Sequence, residues 1–235
     1  MSVSRREFLK HAGVAGAAIG AVALPAGAAR AATYKAGEGP RYAMVIDLRR
    51  CFGCHACSVA CKAEQDVPLG FFKSWVMISE RGTYPLVRRQ FLPVLCNHCD
   101  NPPCVKACPT RATKQRKDGI VTQELQSCIG CKYCLQACPY SIKYVDPRTE
   151  TAQKCDFCMH RVQQGLLPAC VNTCNARARI FGDINDPDSA VSRLIARNPV
   201  QTLRPEFGTE PRVFYIGLDR SAYVPIRRSH SLATA

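Results

Sequence analysis

The sequence predicts a small α+β protein in which short strands and helices surround cysteine-rich loops. The chain has 235 residues, of which 47% are hydrophobic and 21% charged, and this composition is typical of one or two modest globular domains. Short strand patterns and a short helix pattern lie between the cysteines. The 16 cysteines far exceed what packing needs in a chain of this length. Metal or disulfide chemistry must therefore account for most of them.

Three segments carry the predicted strands. Residues Tyr42–Leu48 alternate well enough for a strand that leads into the first cysteines. Residues Phe91–Leu95 contain Pro93, which restricts them to an edge strand or a connector. Residues Arg212–Leu218 are predicted to form a late strand. Residues 71–78 are unusually apolar, and two interpretations stay open: the segment covers the core, or part of it docks on a partner.

One helix is predicted near the end of the chain. It begins at Asp186 and Pro187, because aspartate is a good N-cap and proline suits the first helical position. It ends at about Ala196. Its apolar stripe consists of Val191, Leu194 and Ile195.

The N-terminus resembles an export signal. An arginine pair at 5–6 is followed by Phe-Leu-Lys and then by an Ala/Gly-rich, weakly apolar stretch from Ala12 to Ala29. This pattern is similar to a bacterial twin-arginine signal, with small residues near its end that offer cleavage sites. We therefore expect residues 1–31 to direct the folded protein to the periplasm. An uncleaved transmembrane signal anchor is the alternative.

The segments that flank the main domain are also predicted from composition. Residues 32–40 are expected to form a Gly/Pro-containing linker, and residues 220–235 a mobile tail. Beyond the signal, no other stretch of eighteen apolar residues occurs in the sequence. The mature protein is therefore expected not to span the membrane itself.

The cysteines form four groups of four, with none left over. In chain order the groups are Cys51, Cys54, Cys57 and Cys61; Cys96, Cys99, Cys104 and Cys108; Cys128, Cys131, Cys134 and Cys138; and Cys155, Cys158, Cys170 and Cys174. The third group, followed by Pro139, reproduces the Cys-x2-Cys-x2-Cys-x3-Cys-Pro run of bacterial ferredoxins. In such a run three cysteines surround one [4Fe–4S] cluster, and the closing cysteine ligates a second cluster. Such groups come in pairs, so four groups predict four clusters with sixteen ligands.

Distance along the chain indicates which groups pair. Only nineteen residues separate the second and third groups, as in a free two-cluster ferredoxin, which predicts an inner unit at 91–150. The first and fourth groups then form a split outer unit, 41–90 plus 151–219, around it. The expected fold is thus two nested ferredoxin-like double-cluster units. The crossover rule predicts four ligand sets: Cys96, Cys99, Cys104 with Cys138; Cys128, Cys131, Cys134 with Cys108; Cys51, Cys54, Cys57 with Cys174; and Cys155, Cys158, Cys170 with Cys61.

Three other uses of the cysteines are less consistent with the spacing. Zinc sites prefer two Cys-x2-Cys knuckles, which would leave the third cysteine of most groups without a role. Cysteines two or three residues apart rarely form disulfides with each other. A Rieske centre would use His55 or His98 as ligands, but all sixteen cysteines are present. We interpret both histidines as loop residues that donate hydrogen bonds to cluster sulfur.

The basic charge of the chain would favour a nucleic-acid partner, but the charge of the bound clusters offsets most of it. The formal charge is +14, and residues 1–31 contribute four cations and one anion, so the mature chain carries about +11. Each oxidised cluster with four thiolates carries about −2, which brings the holoprotein to about +3. We therefore expect no nucleic-acid partner. Lysines beside the cysteines are expected to offset cluster charge: Lys62, Lys106, Lys132 and Lys154.

The nested order of the groups resembles the electron-transfer subunits of molybdopterin oxidoreductases of the dimethyl sulfoxide reductase superfamily. Within it, the chain is most similar to the iron–sulfur subunits of tetrathionate reductases. The segments that carry the resemblance are RYAMVIDLRRC at 41–51, LCNHCDNPPCV at 95–105, QRKDGIV at 115–121, CIGCKYCLQACPY at 128–140, GLLPACVNTC at 165–174, GDINDP at 182–187 and VFYIGLD at 213–219. The first and fourth groups lack the trailing proline, a departure that the family tolerates.

The resemblance implies a function and partners. It implies that electrons pass through four [4Fe–4S] clusters between a membrane-integral quinone-reacting subunit and a large molybdopterin catalytic subunit, which reduces tetrathionate or a related sulfur oxyanion. Two alternatives stay open: the equivalent subunit of a nitrite-, sulfite-, thiosulfate- or polysulfide-linked respiratory complex, and a free periplasmic polyferredoxin. No general acid–base pair is evident in the sequence, so no catalysis is assigned to this chain.

Overall fold

The computed structural model describes residues 39–219, which combine short strands with short helices. The strands are β1 (Tyr42–Asp47), β2 (Ser74–Arg81), β3 (Arg88–Leu95), β4 (Thr113–Gln115), β5 (Val121–Gln123), β6 (Tyr144–Val145), β7 (Ala152–Gln153), β8 (Arg179–Asp183), β9 (Val200–Gln201) and β10 (Val213–Ile216). The helices are α1 (Ala56–Glu64), α2 (Pro103–Lys106), α3 (Tyr133–Gln136), α4 (Met159–Val162), α5 (Ala169–Asn172) and α6 (Ala190–Arg197), with a 3-10 turn at Pro205–Phe207. This mixture confirms the predicted α+β class.

Some predictions fall on other parts of the chain. The export signal at 1–31, nearly all of the linker at 32–40 and the tail at 220–235 lie outside the described residues. Within 39–219, none of the helices has both the length and the apolar character needed to cross a membrane.

The central sheet has the strand order β8-β1-β10-β9. Strand β1 lies between a parallel neighbour, β10, and an antiparallel neighbour, β8. Because both of its faces are covered, β1 is a continuous apolar run, and Ala43–Ile46 have no exposed surface. Both strands predicted for this sheet from the sequence, at 42–48 and 212–218, are confirmed.

The sheet also fixes where two cysteine groups meet. Strand β1 runs towards Cys51, whereas β8 begins shortly after Cys174. Because β1 and β8 are antiparallel, with Ile46 paired to Arg179, the end of β1 lies beside the start of β8. The first group and the closing cysteine of the fourth group therefore lie at the same edge of the sheet.

Strands β2 and β3 form a separate antiparallel hairpin. Pro93 lies opposite Val76 in a sheet of two strands, so its missing N–H is tolerated, as the edge-strand prediction requires. Within the apolar segment 71–78, Val76 is buried, whereas the side chain of Ile78 is 51% exposed. Part of the segment thus covers the core, and docking of the rest on a partner stays a prediction.

Helix α6 begins later than the sequence indicated. The predicted cap, Asp186, instead accepts a hydrogen bond from the N–H of Asp188 in a turn that precedes the helix. Ser189 has an extended backbone, and its hydroxyl oxygen accepts from the N–H of Ser192 at 3.1 Å, so serine caps the helix. The predicted apolar stripe is correctly placed, because Val191 is completely buried.

A buried ion pair joins the loop of the second cysteine group to the central sheet. The Arg212 guanidinium, whose side chain is 1% exposed, donates from Nε to Asp100 Oδ1 at 2.6 Å. It also donates to the backbone oxygens of Tyr42 and Asp118. Asp100 accepts a further bond from Arg41. The inner segment and the outer sheet consequently share one core.

Candidate iron–sulfur sites

Each cysteine group begins with the same sharp backbone turn. The residue two positions after the first cysteine has a positive φ of 43–74° in all four groups. These residues are Gly53, His98, Gly130 and Phe157. A left-handed residue there turns the chain back on itself and brings the first two cysteines of the group to the same side. The two glycines fit this turn without strain, whereas His98 and Phe157 gave no signal in the sequence.

The loops after three closing cysteines repeat a second geometry. Three residues after Cys108, Cys138 and Cys174, the backbone again has a positive φ, at Arg111, Ser141 and Arg177. In each loop that residue donates its N–H to the carbonyl oxygen of the closing cysteine, at 3.2, 3.3 and 2.9 Å respectively. The loop then turns its next N–H groups towards the cysteine sulfur, as in the 3.3 Å bond from Ala178 to Cys174 Sγ. N–H groups in this position stabilise a thiolate.

The first group closes differently. Cys57 and Cys61 both lie on α1, four residues apart and therefore on one face of the helix. Both are buried against α5, which carries Cys170. Helix α1 thus presents two cysteines to the core, one turn apart.

One predicted set of four cysteines lines a single cavity. Cys96, Cys99, Cys104 and Cys138 surround about 380 Å³ of space, part of it open to solvent. Cys138, from the third group, completes three cysteines of the second group, which is the partner that the crossover rule selects. Asn97 lines the same cavity, and neither its side-chain oxygen nor its nitrogen has a hydrogen-bond partner among the described residues.

A second predicted set lines a second cavity of similar size. Cys51, Cys54, Cys57 and Cys174 surround about 340 Å³ of space, part of it open to solvent, at the edge of the central sheet. Here too the closing cysteine comes from a distant group. Each cavity is lined by four cysteines, which is the number of ligands that one [4Fe–4S] cluster needs.

The third predicted set is gathered by α1 and α5. Burial raises the pKa of Cys61 to about 12, and the neighbouring thiols of Cys170 and Cys158 add to this rise. Burial likewise raises the pKa of Cys155, and Cys61 is the thiol that adds most to this rise. These mutual effects indicate that Cys61 lies near the first three cysteines of the fourth group, and their ligation of one cluster stays a prediction.

The fourth predicted set has one exposed cysteine, as the set of Cys51, Cys54, Cys57 and Cys174 also has. Cys131 is exposed, Cys134 is buried, and Cys128 and Cys108 are half-buried. Although slight burial opposes it, hydrogen bonds from Thr113 and Thr110 lower the pKa of Cys108. The structure thus shows a Cys108 sulfur that is already surrounded by donors.

Burial raises the pKa of eight of the sixteen cysteines, so these thiols stay protonated until a metal binds. Burial raises the pKa of Cys104 and of Cys158 to about 11 each. Iron must displace these protons, so the sites gain charge stabilisation only when loaded. Among the described residues, no three Cys, His, Asp or Glu side chains converge closely enough to bind one metal ion. A cubane does not need such convergence, since each cysteine ligates a different iron atom.

Buried cations beside the cysteines were mostly missed by sequence reasoning. Arg179 lines the second cavity, Lys143 lines the first, and Lys73 lowers the pKa of Cys61 against the effect of burial. All three side chains are buried. A spacing signal was present, because Lys143 and Arg179 each follow a closing cysteine by five residues.

The four lysines predicted to offset cluster charge lie in different surroundings. Lys154 is buried and donates to the backbone oxygens of Val121 and Cys155. Lys62 donates to the backbone oxygens of Pro68 and Phe71, so it stabilises the chain after α1. Lys106 and Lys132 are exposed. Of the four, Lys154 has the burial expected for a charge that acts on a cluster.

The two histidines also differ. His55 precedes α1 with a left-handed backbone. His98 is completely buried, stacks on Phe157 with ring centroids 3.7 Å apart, and accepts the N–H of Val121 at Nδ1. Burial lowers the pKa of His98 well below its usual value, so the ring is neutral. Its Nε2 has no partner among the described residues, and a bond from it to cluster sulfur stays a prediction.

The repeated turns, the cysteine-lined cavities and the donors around their sulfurs define a ferredoxin-type iron–sulfur protein. A family model for a 4Fe-4S dicluster domain matches residues 87–184. The B subunit of tetrathionate reductase from Salmonella typhimurium is 46% identical to this chain, over 96% of the chain and 93% of the relative. The chain belongs to the iron–sulfur electron-transfer subunits of the dimethyl sulfoxide reductase superfamily.

Relatives named for other reductases are also similar. The arsenate respiratory reductase iron–sulfur subunit of Shewanella sp. is 38% identical, over 75% of this chain and 96% of the relative. The B subunit of selenate reductase from Mesobacillus selenatarsenatis is 40% identical, over 75% of this chain and 72% of the relative. The family is therefore shared by complexes whose names differ in substrate.

Proposed function

We propose that this chain relays electrons through four [4Fe–4S] clusters between a membrane quinol-oxidising subunit and a periplasmic molybdopterin subunit that reduces tetrathionate or a related sulfur oxyanion. The observation that carries the proposal is the pair of cavities in which a closing cysteine from one group completes three cysteines of another. The similarity to the tetrathionate reductase relative supports the substrate class.

The sixteen cysteines are proposed as the iron ligands, in the four crossover sets given above. When bound, each cluster supplies a reversible one-electron redox step. The chain's own residues hold the clusters in fixed places, exclude water through full or partial burial of fourteen cysteines, and place N–H groups and cations beside the sulfurs. No residue of the chain is assigned a role in breaking substrate bonds.

Two exposed loops are proposed as the contact points for the partners. Cys54 and Cys131 are the exposed members of their sets. Each lies in a loop with an exposed apolar side chain one position after the first cysteine, namely Phe52 at 57% and Ile129 at 67% exposure. A cluster near the surface and an apolar contact beside it are what electron exchange with a docked partner requires.

Metal analysis tests the cofactor content. Anaerobically purified protein should contain about sixteen iron and sixteen sulfide per chain, because four cubanes, each ligated by four cysteines, use every cysteine. Zinc in place of iron, or about half of this iron after full reconstitution, would contradict the four-cluster proposal.

The crossover ligation is tested by paired serine variants. Cys138→Ser should alter the cluster held by Cys96, Cys99 and Cys104, whereas Cys108→Ser should alter the one held with the third group. Site-assigned electron paramagnetic resonance spectra, or a structure of each variant, separate the two results. If Cys108→Ser damaged only the second-group cluster, all four crossover assignments would be abandoned.

Isolation of the native complex tests the partners. Molybdenum in the largest co-purifying subunit is expected, haem would favour a nitrite- or sulfite-linked complex, and a stable monomer would favour a free polyferredoxin.

Phe52→Glu and Ile129→Glu should each weaken capture of one partner. Leu69→Glu is the matched control, since Leu69 is an exposed apolar side chain outside both loops. Equal effects of all three variants would argue against the two contact points.

A further inference from the structure

Arg179 is a buried cation in an unusual setting. It begins β8, is 3% exposed, and its guanidinium donates from Nη2 to Ser74 Oγ at 2.9 Å. Its Nε and Nη1 are buried and have no hydrogen-bond partner among the described residues. A buried guanidinium with two unpaired nitrogens is unfavourable unless another anionic or acceptor group lies beside it.

Among the described residues, no carboxylate forms an ion pair with Arg179. Arg212, the comparable buried arginine, is paired with Asp100. By contrast, the groups that raise the pKa of Arg179 against its burial are the thiols of Cys170, Cys57 and Cys155 and the Tyr215 hydroxyl. The guanidinium thus lies within electrostatic reach of cysteine thiols rather than of a carboxylate.

Arg179 also lies between two ligand sets. It lines the cavity of Cys51 and Cys57, and it lowers the pKa of Cys51 against the effect of burial. It acts in the same way on Cys61 and Cys170, which belong to the neighbouring set. Both proposed clusters of the outer unit therefore fall within its influence.

The inner unit has an equivalent but weaker arrangement. Lys143 occupies the same position, five residues after a closing cysteine, and lines the cavity of Cys104 and Cys138. Its ammonium group is already bonded to Thr113 Oγ1 at 3.0 Å and Gln123 Oε1 at 3.1 Å. Of these two equivalent cations, the one in the outer unit therefore has two nitrogens without a hydrogen-bond partner among the described residues, whereas the Lys143 nitrogen is bonded.

We propose that the Arg179 guanidinium donates from Nε and Nη1 to sulfur of the outer unit's clusters and raises the reduction potentials of both. This inference rests on the proposed cluster content. Reduction adds negative charge to a cluster, and a buried cation that donates to its sulfurs stabilises the reduced form. Arg179 is therefore a positioning and tuning residue shared by two consecutive clusters of the relay.

The test compares Arg179→Gln with Arg193→Gln in the full chain. Both variants lose one arginine, but Arg193 is an exposed residue of α6. Redox titration followed by electron paramagnetic resonance should show two of the four midpoint potentials shifted to more negative values in Arg179→Gln. All four should stay at wild-type values in Arg193→Gln, because water screens its charge.

Iron content separates the two ways in which the test can fail. If wild-type protein holds no [4Fe–4S] clusters, the proposed function fails. If it holds four and Arg179→Gln titrates like wild type, only the role of Arg179 is overturned. Arg179→Lys decides the case alone if the glutamine variant does not assemble clusters. It should shift the same two potentials by a smaller amount, because an ammonium group does not reproduce the planar fork of donors, and unchanged potentials would overturn the proposal.

Discussion

Removal of the Asp100 carboxylate should destabilise the protein far more than removal of an exposed acid. Arg212 is completely buried, and Asp100 is its carboxylate partner through Nε at 2.6 Å. Asp100→Ala would leave that guanidinium buried with only backbone oxygens as acceptors. Breaking a buried pair from one side costs about 3–5 kcal/mol. Guanidinium chloride lowers the stability of a small protein by roughly 2–6 kcal/mol per molar, so the unfolding midpoint should fall by about 1 M.

The assay is anaerobic unfolding of the loaded protein, followed by circular dichroism and by the visible absorbance of the clusters. Glu80→Ala is the matched control, because Glu80 pairs with Arg89 at 2.9 Å but both side chains are about 60% exposed. An exposed pair contributes under about 1 kcal/mol, so this midpoint should move by no more than about 0.3 M. If the two variants unfold at the same denaturant concentration, the argument that Asp100 joins the inner loop to the sheet is wrong.

Three further predictions concern other parts of the chain. Replacement of Arg5 and Arg6 together by lysine should keep the protein in the cytoplasm, and normal periplasmic amounts in fractionated cells would contradict twin-arginine export. Ser189→Ala should lower stability by about 1 kcal/mol, measured by the same unfolding assay, because the hydroxyl caps α6; an unchanged midpoint would refute this. Gly130→Ala should lose about a quarter of the iron, since the new Cβ would lie 2.6 Å from the Glu150 oxygen at a positive φ. Gly165→Ala is its control, with a similar φ and open space, and equal iron loss in both would exclude the clash.

Cysteine spacing predicted which cysteines lie together in two cavities, because the spacing of the ligands along the chain is the main sequence requirement of a [4Fe–4S] cluster. The two cavities contain the cysteine combinations that the crossover rule selects from spacing alone. The turns after the first cysteine of each group were harder to predict from the sequence. Gly53 and Gly130 mark them, but His98 and Phe157 adopt the same left-handed backbone without a residue type that favours it.

The buried strands could be predicted from the sequence, but the pairing of one strand with another could not. The apolar runs of β1 and β10 are evident in the sequence, but nothing local shows that they lie side by side and parallel. The buried cations were missed because lysine and arginine are almost always exposed. Thr113 and Gln123 accept from Lys143 inside the protein, whereas Ser74 is the one hydrogen-bond acceptor of the Arg179 guanidinium among the described residues.

The pairing of β1 with β10 has a consequence for how the chain is made. Met44 pairs with Val213, so about 170 residues must leave the ribosome between the two strands. Closing so long a loop slows folding, and until then the apolar segment Ala43–Ile46 has an open edge on which chains can aggregate. A nascent chain therefore cannot complete its central sheet until β10 has left the ribosome. A chaperone that covers the first strand until then is what this topology would most benefit from.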